Sequence, residues 1–188
     1  MSLRKEIFSL GENKKTNDYE LILDLGKQPW GNHILDKEEV GYEPTYPLEV
    51  VFCNKSELLQ LTYFVPKEVM FLDHCYVSGT TKSLANHFYN LAKENIEQFK
   101  LTSKHTVLDI GGNDGTQLEQ DKKLGLTNLI NVESAKNISS LSRDKNIKTL
   151  NMFFNEKNVK VNIPEKTIDI INASGIFFHL EELHSVIE

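Results

Sequence analysis

The sequence predicts an α/β protein, a doubly wound parallel sheet preceded by a small β-rich module. Three observations carry this. Beyond Ser103, short apolar runs alternate with amphipathic stretches of helical period, and such alternation implies parallel strands joined by right-handed crossovers. A glycine-rich turn, Gly111 to Gly115, follows the first of those runs. Before residue 102 the chain is instead rich in turn residues and short strand-like runs, and it holds every proline except Pro164.

Taken in order, Tyr19–Leu25, Leu48–Phe52 and Leu58–Phe64 read as strands punctuated by Gly26, Pro29, Gly31, Gly41, Pro44 and Pro47. Burial of Leu23, Leu25, Val51, Leu59 and Leu61 is expected to hold this module together. From Thr81 to Phe99, Leu84, Phe88, Leu91, Ala92, Ile96 and Phe99 recur at helical spacing. Then come a strand at Thr106–Ile110, a helix at Gly115–Leu124, a strand at Asn128–Val132 and a helix at Ala135–Arg143. Strands at Ile147–Phe153 and Ile168–Ala173 and a helix starting in Leu180–Ile187 complete the pattern. Asn155–Asn162 is polar and ambiguous. The implied organisation is a module over 1–75, a linking helix over 76–102 and the sheet domain over 103–188.

Composition narrows the function. Lys and Arg number 21 against 27 Asp and Glu, a formal charge of −6 at pI near 5.6, which gives no overall drive toward nucleic acid or anionic membrane. No apolar run approaches the roughly 20 residues that span a bilayer, and the first ten residues lack the apolar stretch of a signal peptide. A cytoplasmic address is expected, with Cys53 and Cys75 as free thiols.

The informative segment is Thr106–Thr116, TVLDIGGNDGT, a strand running into a glycine turn and a helix. A dinucleotide loop reads G-x-G-x-x-G; here Gly111, Gly112, Asn113 and Gly115 fall in a different spacing, which disfavours an NAD-binding oxidoreductase. Asp109 precedes the loop, where a carboxylate suits a cationic ligand such as S-adenosylmethionine. Glu133 ends the next strand, at the edge where a carboxylate can hold both hydroxyls of a ribose. A glycine turn made for packing and a solvated strand end are the plain alternatives.

These residues resemble the bacterial S-adenosylmethionine-dependent C-methyltransferases of nucleotide-linked keto-sugars. The family's loop is similar to VLDIGSNDGT, against VLDIGGNDGT at Val107–Thr116. Leu23–Leu35 is similar to its LGxxPxAN segment. Tyr46-Pro47-Leu48 with Cys53 and Leu59-Gln60-Leu61 are similar to its YPL…CxxCxLxQL segment. Tyr76–Thr81, YVSGTT, is similar to its YxxSGTS segment, and Ile168–Leu180 to its strand ending in Asn with a nearby His. The resemblance implies a Rossmann-like methyltransferase sheet of order 3-2-1-4, a nucleotide-sugar substrate, and S-adenosylmethionine held by Asp109, Gly111, Gly112, Asn113, Gly115, Glu133 and Asn172. It also implies Tyr76 and His179 as catalytic groups; the other five histidines are read as surface or packing residues.

The chain departs from the family twice. The family's N-terminal module binds zinc through two Cys pairs, but here Ser56 follows Cys53 at the second pair and nothing before Tyr19 is Cys or His. Four soft ligands make a closed structural site, so no metal is expected. The family's general base comes from a Tyr-His-Glu-His-like segment that does not occur by residue 188, so the sequence reads as C-terminally truncated, without turnover by itself. A non-catalytic cofactor-binding protein is the competing function. The strand Ile168–Ala173 is expected to be an open edge through which copies associate.

Overall fold

The computed structural model describes residues 5–180 and 182–188. Residues 1–4 of the expected N-terminal module and residue 181 of the expected last helix lie outside the described residues. The chain divides into two compact units, Met1–Met70 and Phe71–Glu188. The stretch 71–75, read from the sequence with the first module, and the long helix both fall in the second unit.

In the first unit β1 (Ile7–Ser9) and β2 (Lys14–Thr16) form an antiparallel hairpin, while β3 (Tyr19–Pro29), β4 (Thr45–Cys53) and β5 (Leu58–Leu61) form an antiparallel sheet in that order. A short helix, α1 (Lys67–Phe71), follows Pro66. The core of this unit is small: Ile7, Val51 and Cys53, with Tyr19 against them. The expected core requires correction. Of the five apolar residues assigned to it, Val51 is buried and Leu61 partly so, but Leu23, Leu25 and Leu59 are 46%, 51% and 60% exposed. The cause is the length of β3, an edge strand whose register shifts twice between Leu21 and Lys27 and which, past Tyr19, is exposed along its whole run. Apolar alternation in a strand buries a face only where another layer covers it.

In the second unit α2 (Lys82–Phe99) precedes β6 (Thr106–Ile110), α3 (Thr116–Lys123), β7 (Asn128–Val132), α4 (Lys136–Asp144) and β8 (Lys148–Leu150). After them come α5 (Glu156–Asn162), β9 (Ile170–Asn172) and α6 (Leu183–Ile187). The four strands are parallel, hydrogen-bonded in the order β8-β7-β6-β9, and β9 has no strand on its outer side among the described residues. The side-chain period of two divides the core. Val107 and Leu129 pack with Leu118, Leu126 and Ile147 on one face; Leu108, Ile110, Ile130 and Val132 pack with Ile163 on the other. The same period sends Asp109 and Asn131, direct neighbours across β6 and β7, to the face of Val107 and Leu129.

The sheet's outer strands are shorter than the apolar runs suggested. Ile147–Phe153 contains only Lys148–Leu150 as strand, and Ile168–Ala173 only Ile170–Asn172. The remaining apolar residues, among them Met152, Phe154, Ile168 and Ala173, pack on the core from irregular backbone. The ambiguous polar stretch is helix α5, started by the Asn155 side chain, which accepts the Asn158 amide at 3.0 Å. None of the helices among the described residues is long and apolar enough to cross a membrane.

Candidate active site

The loop after β6 is shaped by its glycines and by what lies beneath it. Gly111 donates its amide to Val132 O at 2.8 Å, which stitches the start of the loop to β7. Gly115, at φ +74°, begins α3; a side chain there would adopt a disfavoured backbone and meet Ser142 Oγ at 2.6 Å. At Gly112 the limit is space: a Cβ would sit 2.5 Å from Asn131 Oδ1 and 2.7 Å from Asp109 Oδ2. Asp114 Oδ1 accepts the Thr116 amide and hydroxyl at 3.2 and 2.7 Å, while its Oδ2 takes Lys145 Nζ at 2.9 Å.

Asn113 joins three parts of the site. Its backbone takes φ +52°, a conformation that Asn tolerates better than most residues, and its amide donates to Glu133 Oε2 at 3.0 Å. Its side chain accepts the Ser78 amide at 2.9 Å and donates to Tyr76 O at 3.0 Å. The residue that stands where glycine is common thus holds the 76–78 segment against the loop.

Glu133, directly after β7, is 7% exposed and accepts the backbone amides of Asn113 through Oε2 and Ala135 through Oε1 at 2.7 Å, with Ser134 a weaker third. An ionised carboxylate has about four acceptor sites, so these bonds do not exhaust it. Burial pushes its pKa up, opposed by these amides and by the charge of His74. Asp109 is 2% exposed, and its Oδ1 has no partner. Desolvation, then the negative charges of Asp121 and Glu133, push its carboxyl well above the ordinary range. Burial therefore favours its neutral acid, and a cationic group bound nearby would favour its ionisation.

The stretch from Phe71 to Thr80 runs along the ends of β6 and β7 where these residues sit. Phe71 O accepts the Ser134 hydroxyl at 3.0 Å, Leu72 O the Lys136 amide at 3.1 Å, and His74 O the Asn137 side chain at 2.8 Å. Tyr76 is 48% exposed, and its backbone amide donates to His74 Nδ1 at 3.1 Å. The Phe71 ring lies 6.0 Å from His74 and 5.7 Å from His179, whose ring also touches Phe178 at 4.3 Å. Burial, then the charge of His74, lowers the His179 pKa and favours the neutral imidazole.

Most of the residues singled out from the sequence therefore converge. Asp109, Gly111, Gly112, Asn113, Gly115 and Glu133 form one polar loop at the carboxyl end of β6 and β7. His179 is linked through Phe71 to His74, and His74 lies edge-on to Tyr76 at 6.4 Å. Asn172 ends β9 in register with Asp109. His74 was missed; its place two residues before Tyr76 was the only signal in the chain. The loop fits a nucleoside ligand with a cationic group: Asp109 Oδ1 is buried without a partner, and the Glu133 carboxylate is not exhausted by its backbone bonds.

Comparison with known proteins adds the following. Residues 13–71 match the model Methyltransf_13, described as "Putative zinc binding domain". The chain is 24% identical over 173 residues to "C-methyltransferase NovU" of Streptomyces niveus, a match that covers 91% of this chain and 41% of that protein. The chain thus spans about two-fifths of that curated relative's length. A solved structure, the plantazolicin methyltransferase BpumL in complex with SAH, matches at TM-score 0.36 and 23% identity over 49% of this chain and 36% of that one. At that score the likeness fixes neither fold nor ligand. The donor set of the first unit does not fit the zinc that the family description implies. Cys53 is its only thiol, and among the described residues no three His, Cys, Asp or Glu side chains gather as a metal centre. Residues 13–71 are thus similar to that domain, and the chain is similar to NovU over nearly all of its own length.

Proposed function

We propose that this chain is the cofactor-holding part of an S-adenosylmethionine-dependent C-methyltransferase that acts on a nucleotide-linked keto-sugar. The observation that carries the reading is the closure of the glycine loop on Glu133, whose Oε2 receives the Asn113 amide at 3.0 Å. In this reading Glu133 accepts the ribose hydroxyls, Asp109 faces the amino and sulfonium charge, and Asn172 lies toward the amino-acid end. When bound, the cofactor supplies an electrophilic methyl group. C-methylation beside a ketone also needs a proton removed from carbon. His179, whose pKa is lowered toward the neutral imidazole and whose ring lies against Phe71 and Phe178, is the group that takes that proton in this reading. Tyr76, half exposed beside His74 and held at its backbone carbonyl by Asn113, is the group that meets the enolate oxygen in this reading.

Calorimetric titration with S-adenosylhomocysteine tests the binding half. The reading expects metal-independent binding that E133Q weakens by about 1.5–3 kcal/mol, the usual loss for a hydrogen bond to a charged group. Equal affinity of E133Q and wild type would remove the ribose role. Methyl transfer to a nucleotide-linked 4-keto sugar, in wild type against H179A, tests the catalytic half.

A further inference from the structure

The first unit contains two turns of the same design. One joins β1 to β2 over residues 10–13, the other β4 to β5 over residues 54–57. Each has a left-handed residue in the same place, Asn13 at φ +53° and Glu57 at φ +54°, four positions after the last residue of the incoming strand. In each, the first and fourth residues of the corner are polar or thiol-bearing: Ser9 with Glu12, and Cys53 with Ser56.

The two corners face each other. The Gln60 side chain clamps them, its Oε1 accepting the Leu10 amide at 2.9 Å and its Nε2 donating to Phe8 O at 2.7 Å. Ser9 and Cys53 are both fully buried, and their side chains hydrogen-bond to each other. Gly11 lies so close to Ser56 that a Cβ there would fall 2.5 Å from Ser56 Cβ. Glu12 donates its amide to Ser9 Oγ at 3.3 Å and pairs with Lys14 at 3.1 Å through Oε1. The buried oxygens left without a hydrogen-bond partner include Glu12 Oε2 and Ser56 Oγ.

We propose that Ser9, Glu12, Cys53 and Ser56 are the four corners of a tetrahedral metal site that this chain has replaced with a metal-free polar cluster. The Ser9–Cys53 hydrogen bond, the Gln60 clamp and the Glu12–Lys14 ion pair join the two corners in place of a shared cation. Three of the four donors are oxygens, and two of those are hydroxyls, which do not make a closed zinc site. The two corners nevertheless share one turn conformation and are clamped together by Gln60, so exchanging three side chains should build a metal site there.

The test uses the full chain. Wild type, dialysed against zinc and then against metal-free buffer, should retain less than about 0.1 zinc per chain and show no change in thermal midpoint with a chelator. S9C/E12C/S56C should retain about one zinc per chain, lose thermal stability on chelation, and give the absorption of tetrahedral thiolate-bound cobalt(II) on substitution. A tightly held stoichiometric zinc in wild type would overturn the proposal, as would a folded triple variant that holds no metal. Should the triple variant not fold with or without zinc, S9C decides. Treated with oxidised glutathione, which takes up the two hydrogens, its new thiol should form a disulfide with Cys53 and not with Cys75. Absence of that bond would refute the convergence of the two corners.

Discussion

Asp121 gives this protein an unusual dependence of stability on pH. It sits on α3 at 3% exposure, its Oδ2 has no hydrogen-bond partner, and desolvation alone pushes its pKa up to about 7. A carboxyl whose folded pKa lies above its unfolded value binds more protons in the folded state, so the stability it contributes is complete below pH 3.8 and is lost as pH rises toward 7. With these two values, the group lowers stability by about 3 kcal/mol between pH 5 and pH 8. Asp109 and Glu133 are shifted the same way and add to the slope. Urea unfolding across that range should therefore show stability falling as pH rises, opposite to the acid lability of proteins whose carboxylates are ion-paired. D121N removes the titrating group, and its slope should be shallower by about the same 3 kcal/mol, whatever the absolute effect of the amide. An unchanged slope in D121N would refute the assignment; stability that rises from pH 5 to pH 8 in wild type would refute the sign.

Three further outcomes follow from the site. N113A should destabilise the second unit by about 2–3 kcal/mol in urea unfolding, from its lost side-chain bonds and a left-handed backbone that alanine disfavours; N113G should recover the backbone part alone. G112A places a Cβ against Asn131 and Asp109, both buried, and should cost about 1–3 kcal/mol in the same assay by overpacking. His179 should titrate below the ordinary histidine value of about 6.5 in a proton NMR titration, and H74A should move that midpoint upward because the His74 charge is one of its causes.

The sequence determined by itself what depends on neighbours along the chain. The run from Thr106 to Thr116 spells strand, turn and helix within eleven residues, and the strand that follows sets Glu133 beside that turn, because strand ends in a parallel sheet gather at one edge. The scarcity of soft ligands before residue 71 was equally legible, since ligand identity is a property of residue type. What the sequence left open were contacts between residues distant along the chain. That Asn113 spends its side chain on Tyr76 and Ser78, 37 and 35 positions away, follows from the path of the 71–80 segment and not from any local pattern. That the Asp109 carboxyl is pushed toward its neutral form follows from burial beneath Gly112 and the nearby charge of Asp121, neither of which the local sequence shows. The apolar residues of β3 were expected inside because alternation signals a half-buried strand, yet only a covering layer buries them, and tertiary packing put that layer over Val51 and Cys53 alone.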